Sequence, residues 1–297
     1  MLKVNLNNSE ITAIIVIFNV TNVIIKCLEQ LKDIPVIIVD NGKSNQEIIS
    51  KIKKFKNIKK YIKSKKNIGF ARANNFAFKY VKTKFSLLIN PDVEINYSEI
   101  QKLLGIFKKY PETGIVVPTL INNKNEVIDN LELLPEKGKS IQRNSFEQKI
   151  SDQLYNTFIE GDSCIMYCWG AIMLVNNDVV KKIGLFDKKF FMYWEDYDLC
   201  RKLYSKKISI IKTSASSAHH LVSSSVKGSI LNFFLIQMYH VFSSYHYFKV
   251  DKKSTHLSKK AALYLFRAIG YLFILNFKNS LRNLARLFAV IKYKKTN

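Results

Sequence analysis

Two kinds of apolar pattern alternate along the first ninety or so residues. Residues 11–18, 36–40, 58–62 and 85–90 are short apolar runs closed by turn residues, as strands buried on both faces of a parallel sheet should be. Between them, residues 23–31, 46–55 and 70–81 space their apolar side chains three and four apart behind polar faces, the helical period. Strands alternating with helices predict an α/β fold, a Rossmann-like, mostly parallel sheet flanked by helices. Such sheets bind ligands beyond the carboxyl ends of their strands, a rule that selects Phe18, Asn19, Asp40, Asn41, Asn90 and Asp92 before any motif is considered.

The alternation continues with a helix over 97–110, stopped by Pro111, and a strand at 115–117. Residues 122–160 are polar and weakly periodic, consistent with loops and a hairpin. An apolar run at 164–175, helices at 177–183 and 196–204 and a strand at 208–212 follow. Composition changes near Ser223, which divides the chain into a domain at 1–225 and a basic, amphipathic helical extension at 226–297. Residues 229–248 lack Lys, Arg, Asp and Glu over a spanning length, yet carry Asn232, Gln237, His240 and His246, which are costly in hydrocarbon. Residues 261–277 are interrupted by Arg267, and Lys249, Lys259, Lys260, Lys278, Arg282 and Arg286 flank the two stretches. The pattern predicts helices lying in the interface of an anionic membrane. Helices packed on the core or a partner, or a true span, are the competing readings.

Composition narrows the class. The chain has 297 residues, of which 47% are hydrophobic, enough for a sizeable core and too many for a disordered chain. Its charge of +24 comes from 47 basic residues against 23 acidic ones, and all but six of the basic residues are Lys. Nucleic-acid recognition favours Arg forks, so a Lys surplus reads as general attraction to anions, such as lipid headgroups or phosphorylated ligands. A non-catalytic basic protein that binds polyanions or an anionic membrane is the alternative this charge supports. Cys27, Cys164, Cys168 and Cys200 form no Cys-x-x-Cys pair and read as reduced, mostly packed thiols of a cytoplasmic protein. The run at 11–18 is too short for a signal core and reads as a strand.

Four segments could carry chemistry. In "LLINPDVEI" a buried strand delivers Asp92 to its end, where a carboxylate could hold a divalent cation together with ligand phosphates; Asn-Pro-Asp is also simply a good turn. In "KNIGFARANN" Gly69 permits a tight entry to a helix whose N-terminus attracts phosphate. Lys66 and Arg72 could add charge-assisted bonds, and Asn74 or Asn75 could meet a sugar or ribose hydroxyl. In "VIIVDNG" Asp40 could accept from a base or ribose, or close a turn. In "FFMYWEDYDLC" Glu195 and Asp196 follow Phe191, Tyr193 and Trp194. Burial against those rings would raise a carboxyl toward the range of a general base, whereas acids in a first helical turn also merely complement the dipole.

Taken in order, "ITAIIVIFN", "VIIVDNG", "NIGFARANN", "LLINPDVEI" and "WGAIMLVNNDVVKKIGLFDKKFFMYWEDYDLCRKL" resemble the inverting GT-A glycosyltransferases of family 2, most closely the bacterial rhamnosyltransferase-like branch. The resemblance implies a GT-A fold with a C-terminal helical extension. It also implies transfer of a sugar, rhamnose first among the candidates, from a dTDP- or UDP-linked donor to a glycan or lipid-linked glycan of bacterial surface polysaccharide. In that register Phe18, Asn19, Asp40, Asn41, Lys66, Asn67, Gly69, Arg72, Asn75 and Asn90 line the donor, with Asp40 near the base. Trp169, Gly170, Tyr193 and Trp194 face the acceptor, and Asp196, with Glu195 beside it, is the catalytic base. Asp92 and His219 hold Mg²⁺ or Mn²⁺, with Asn90 in place of the usual first acid and His220 as the second choice of histidine. The enzyme would work in the cytoplasm, peripheral on the inner face of the cell membrane.

Overall fold

A computed structural model of the chain describes residues 9–42, 44–128, 134, 160–221 and 229–296. Most of residues 122–160, read from the sequence as loops and a hairpin, therefore lies outside the described residues. These fall into two compact units, one drawn from 1–187 and 196–226, the other from 188–195 and 227–297.

The first unit is built on a nine-stranded sheet. In chain order its elements are β1 (Ile11–Ile17), α1 (Val23–Gln30), β2 (Val36–Asp40), α2 (Gln46–Ile52), β3 (Ile58–Lys63), α3 (Phe70–Ala77), β4 (Phe85–Ile89), β5 (Val93–Glu94) and α4 (Tyr97–Lys109). After these come β6 (Ile115–Ile121), β7 (Asp162–Ile165), β8 (Ile172–Asn176), α5 (Asn177–Lys182), α6 (Glu195–Ser205) and β9 (Ile210–His220). The strands lie in the order β3-β2-β1-β4-β8-β6-β9-β5, with β7 on β9. Strands β1 to β4 pair in parallel, and β8 enters antiparallel between β4 and β6. All five residues of β2 and of β4 are buried, which is why both read as unbroken apolar runs. The core gathers Ile15, Ile38, Leu87, Leu103 and Leu174 from five elements.

One strand is much longer than its apolar content suggests. β9 extends to His220 through "TSASSAHH", small residues with no bulky alternation, where the sequence pattern ends a strand at 212. It is made in two halves. Pairing with β6 jumps from Pro118↔Thr213 to Thr119↔Ser217, leaving residues 214–216 as a bulge. Glu99 of α4 secures the bulge: Ser217 N–H donates to its Oε2 at 2.9 Å, and Ser216 Oγ to its backbone oxygen at 3.1 Å. The second half carries His220 opposite Val93 of β5. A strand this polar over its second half lies beyond what periodicity alone detects.

The second unit holds α7 (Ile230–Tyr247), α8 (Thr255–Phe273) and α9 (Phe277–Lys295). Met238, Phe242, Leu257, Ala285 and Val290 form its own core. Serine side chains cap the first two helices: Ser229 Oγ accepts from Asn232 N and Ser254 Oγ from His256 N. Residues 190–194 join this unit: Phe191 stacks on Tyr239 at 4.3 Å, and Trp194 lies edge-on to His240 and Phe248. No helix among the described residues is long and apolar enough to cross a membrane.

Candidate active site

The carboxyl ends of β1, β2 and β4 set the frame. Asn19, just past β1, takes a left-handed backbone (φ 49°) and packs under Gly42. A Cβ on Gly42 would stand 2.7 Å from Asn19 Oδ1 and 2.9 Å from the Phe18 ring, so only glycine fits that turn. Gly42 carries no polar group, so the chemistry-led reading passed over it, although Asp-Asn-Gly announces a tight turn.

Asp40, at the end of β2, is fully buried. Its Oδ1 accepts from Gly42 N and Ser44 Oγ, both at 3.1 Å. Its Oδ2 accepts from Tyr61 Oη at 2.8 Å and Lys63 Nζ at 2.5 Å. Four protein donors fill the lone pairs of a carboxylate. Asp40 therefore braces the β2–β3 rim instead of offering an acceptor to a base. The bond to Asp40 and burial push the Tyr61 hydroxyl well above its ordinary range, burial being the larger cause.

Asn41 is likewise committed inward. Its Nδ2 donates to Asn67 Oδ1 at 2.8 Å and to the Gly69 carbonyl at 3.2 Å, while its Oδ1 accepts from Ile68 N at 2.8 Å. Asn67 Oδ1 also accepts from Gly69 N at 2.9 Å. This knot shapes the turn into α3, where Gly69 takes φ 84° as predicted for that position. Asn75, expected to meet a hydroxyl, is spent on the backbone of Phe186: its Nδ2 donates to the carbonyl at 2.8 Å and its Oδ1 accepts from the N–H at 3.2 Å. Lys66 and Arg72 are exposed, as basic side chains must be to reach a soluble anion.

Asp92 and His220 face one another. Asp92 is 3% exposed, and its Oδ1, which has no hydrogen-bond partner, lies 3.6 Å from His220 Nε2. His219 is exposed and pairs by backbone with Glu94, so the histidine beside Asp92 is His220 and the choice of His219 is corrected. Strand parity explains it: Ser216 and Ala218 are buried, and the period of two continues inward at 220. Cys27 lies behind this pair, its thiol pushed far up by burial and then by the charges of Asp92 and Glu94. A carboxylate oxygen and an imidazole nitrogen, the oxygen buried and unpartnered, suit a divalent cation. Among the described residues no cluster of three such groups occurs, so remaining ligands would come from a bound diphosphate or water.

The segment 169–171 runs between this pair and the second carboxylate. Asn90 N–H donates to the Ala171 carbonyl at 2.8 Å, and Gly170 N–H donates to Asp196 Oδ2 at 3.2 Å. A Cβ on Gly170 would stand 3.6 Å from Asp196 Oδ2 and 3.8 Å from the Phe70 ring, which brings the start of α3 to the same place. Asp196 sits in the first turn of α6. Tyr167 Oη donates to its Oδ2 at 2.9 Å and Tyr197 N–H to its Oδ1 at 2.9 Å. Burial nevertheless pushes its carboxyl above the usual range, and the three hydrogen bonds only moderate that rise. Asp198, by contrast, is held by Arg201 at 2.5 Å and Lys202 at 3.0 Å and serves the helix.

Tyr167 had no signal in the sequence, because its partner is 29 residues away and the contact is tertiary. Its ring stacks on Tyr197 at 3.7 Å, which fixes the direction of the hydroxyl. Removing that hydroxyl takes away a bond that favours the ionised form of Asp196. Tyr167→Phe is expected to move the acid limb of the kcat/KM–pH profile to higher pH with KM for the donor unchanged; an unmoved limb would show that the bond carries nothing.

The remaining residues expected to face the acceptor pack against protein neighbours. Trp194 is 4% exposed among His240, Tyr247 and Phe248, leaving no ring face for a sugar. Tyr193 packs beside His240, and Glu195 is buried in the same unit. Trp169 is half-buried against the core of the first unit. A surface hollow of about 500 Å³, bordered by Lys109, Asp162 and Ser209, lies at the amino ends of β6 and β9, the other end of the strands from Asp92.

A mixed sheet of this order, with its polar residues gathered past the carboxyl ends of β1, β2 and β4, is the GT-A fold of glycosyltransferases. The chain belongs to glycosyl transferase family 2, which residues 12–176 match. It is 26% identical over 173 residues to the rhamnosyltransferase WbbL of Escherichia coli, covering 51% of this chain and 60% of that one. To the low-salt glycan biosynthesis hexosyltransferase Agl10 of Haloferax volcanii it is 25% identical over 164 residues, 54% and 51% of the two chains. The chain thus spans about half to three-fifths of these relatives' lengths. Among solved structures, S. aureus TarS 1-349 in complex with UDP superposes with a TM-score of 0.55 at 14% identity, over 96% of this chain and 89% of that one. The mannosyltransferase PcManGT of Pyrobaculum calidifontis, in complex with GDP-Man and Mn²⁺, gives 0.54 at 12% identity over 96% and 73%. At these identities the superpositions speak for the fold.

Proposed function

We propose that the protein transfers a sugar, with inversion, from a nucleotide-diphospho-sugar to a hydroxyl of a glycan or lipid-linked glycan. The observation that carries this is the Asp196 carboxyl, raised by burial and tethered to Gly170, one residue from the Ala171 carbonyl that Asn90 holds beside Asp92. Asp196 accepts the proton of the acceptor hydroxyl as that oxygen bonds to the anomeric carbon. The bond from that carbon to the diphosphate oxygen breaks on the opposite face, and the nucleoside diphosphate leaves with the electron pair. Tyr167, Tyr197 and Gly170 keep the carboxylate aimed while it takes the proton. Asp92 and His220 would hold Mn²⁺ or Mg²⁺, which supplies Lewis-acid neutralisation of the diphosphate charge. The mannosyltransferase PcManGT, solved in complex with GDP-Man and Mn²⁺, supports this assignment. Lys66 and Arg72 supply further positive charge to the diphosphate.

Similarity to WbbL, a rhamnosyltransferase, and to an N-acetylglucosaminyl-diphospho-decaprenol L-rhamnosyltransferase of Mycobacterium tuberculosis favours dTDP-rhamnose as donor and a polyprenyl-linked glycan as acceptor. UDP-linked hexoses and galactofuranose come next. Purified protein is expected to release nucleoside diphosphate from one member of a panel of such donors when Mn²⁺ is present, and to stop when EDTA is added. A panel that yields no release under any metal condition would end the proposal.

A further inference from the structure

From residue 262 to residue 277 Arg267 is the only charged side chain, yet little of this stretch is buried. The inward stripe of α8 is narrow: Leu257, Ala261, Tyr264 and Ala268 enter or border the core of the second unit, and Ser280 Oγ of α9 donates to the Ala268 carbonyl at 2.8 Å. The outward positions are apolar too. Leu263, Phe266, Ile269 and Phe273 are 42–84% exposed. The corner into α9 continues the patch, with Ile274, Leu275 and Phe277 at 69, 73 and 63%. α7 and α9 run parallel, since Arg282 lies over the Phe233 ring and Lys292 bonds Tyr239 Oη. Ile230 and Leu231, 78 and 65% exposed at the start of α7, therefore stand at the same end of this unit as that corner.

An exposed apolar surface of this extent needs an occupant. Charge selects it. Residues 227–297 carry thirteen Lys and Arg against the single acid Asp251, a surface that repels its own copy and attracts anionic headgroups. Lys259 and Lys260 precede the apolar stretch and Lys278 follows it, long side chains whose ammonium groups reach up to a headgroup layer while their stems lie along hydrocarbon. The stretch of 16 residues is shorter than the roughly 20 that a helix needs to span a bilayer. We infer that α8 and its corner into α9 seat in the headgroup–acyl boundary of an anionic bilayer, with Phe273, Ile274 and Leu275 deepest and Arg267 and Lys278 at the phosphates. This inference stands apart from the glycosyl-transfer reading, because its test uses neither donor nor acceptor.

The full chain is expected to float with vesicles of phosphatidylcholine and phosphatidylglycerol and to stay behind with phosphatidylcholine alone. The double variant Phe273→Glu, Leu275→Glu is expected to lose ~10-fold or more of that binding, as replacing two buried apolar side chains by charges demands. Lys278→Glu should bind the mixed vesicles more weakly and detach at lower salt. Phe273→Trp, which preserves the apolar surface, should show its emission move to shorter wavelength on adding the mixed vesicles. Far-UV circular dichroism checks that the exposed substitutions leave the helices formed. The inference is overturned if the parent chain does not float with the mixed vesicles, or if the double variant floats equally well. A lipid-free dimer that the double variant disperses would assign the face to a second copy and overturn it as well.

Discussion

Asp196→Asn is expected to lower turnover by ~10²–10⁴-fold, the usual worth of a positioned general base, while donor affinity stays where it was. The amide is close to the carboxylate in shape. Its oxygen can still accept from Tyr167 Oη and Gly170 N, the two donors now on Oδ2, while its Nδ2 gives up the bond from Tyr197 N–H. What is lost is basicity. A second consequence runs through stability. A carboxyl whose folded pKa is raised contributes stability that is complete at low pH and lost as pH rises through the folded value. Once ionised, Asp196 is thus a cost to the fold, and the neutral amide removes it. The melting temperature of the variant relative to the parent should therefore rise with pH and fall on acidification. Stopped-time assays and thermal denaturation across pH check the two halves; unaltered turnover would remove Asp196 from the reaction.

Asp92→Ala should abolish the response of donor binding to Mn²⁺. Among the described residues Asp92 and His220 are the pair that would face a cation there, so losing one would remove half of that pair. The loss should exceed the ~10–100-fold in metal affinity that even an outer partner of a metal ligand is worth. Calorimetric titration of donor with and without Mn²⁺ measures it. The two histidines sharpen the result: His220→Ala should weaken the metal response, and His219→Ala, on the exposed parity of β9, should not. Equal effects from both histidines would contradict the placement of the site.

The alternation of apolar strands and amphipathic helices made the sheet readable, because residues such as those of β2 and β4 are buried on both faces and leave no other pattern to adopt. The parts that stayed hidden share a cause. β5, the bulged half of β9 and the Tyr167 hydroxyl owe their places to partners far along the chain, such as Glu99 for the bulge and Asp196 for the phenol. Motif reading found the turns. Asp40 and Asn41 at the end of β2 and Asn75 in α3 direct their hydrogen bonds to the protein. A motif records that a polar group is required, and only packing reveals whether the ligand or the backbone requires it. Trp194 shows the converse: an aromatic residue beside a carboxylate suggested a sugar platform, and the rings of α7 had the stronger claim.

The amide of Asn41, tied to Asn67, Ile68 and Gly69, has an evolutionary consequence. Two stretches of chain more than twenty residues apart share one set of donors and acceptors, and a change at 67–69 would strand the buried Asn41 amide away from water. Descendants that reshape this corner would have to exchange both positions in step, and a chimera grafting either stretch alone from a distant cousin would inherit the mismatch.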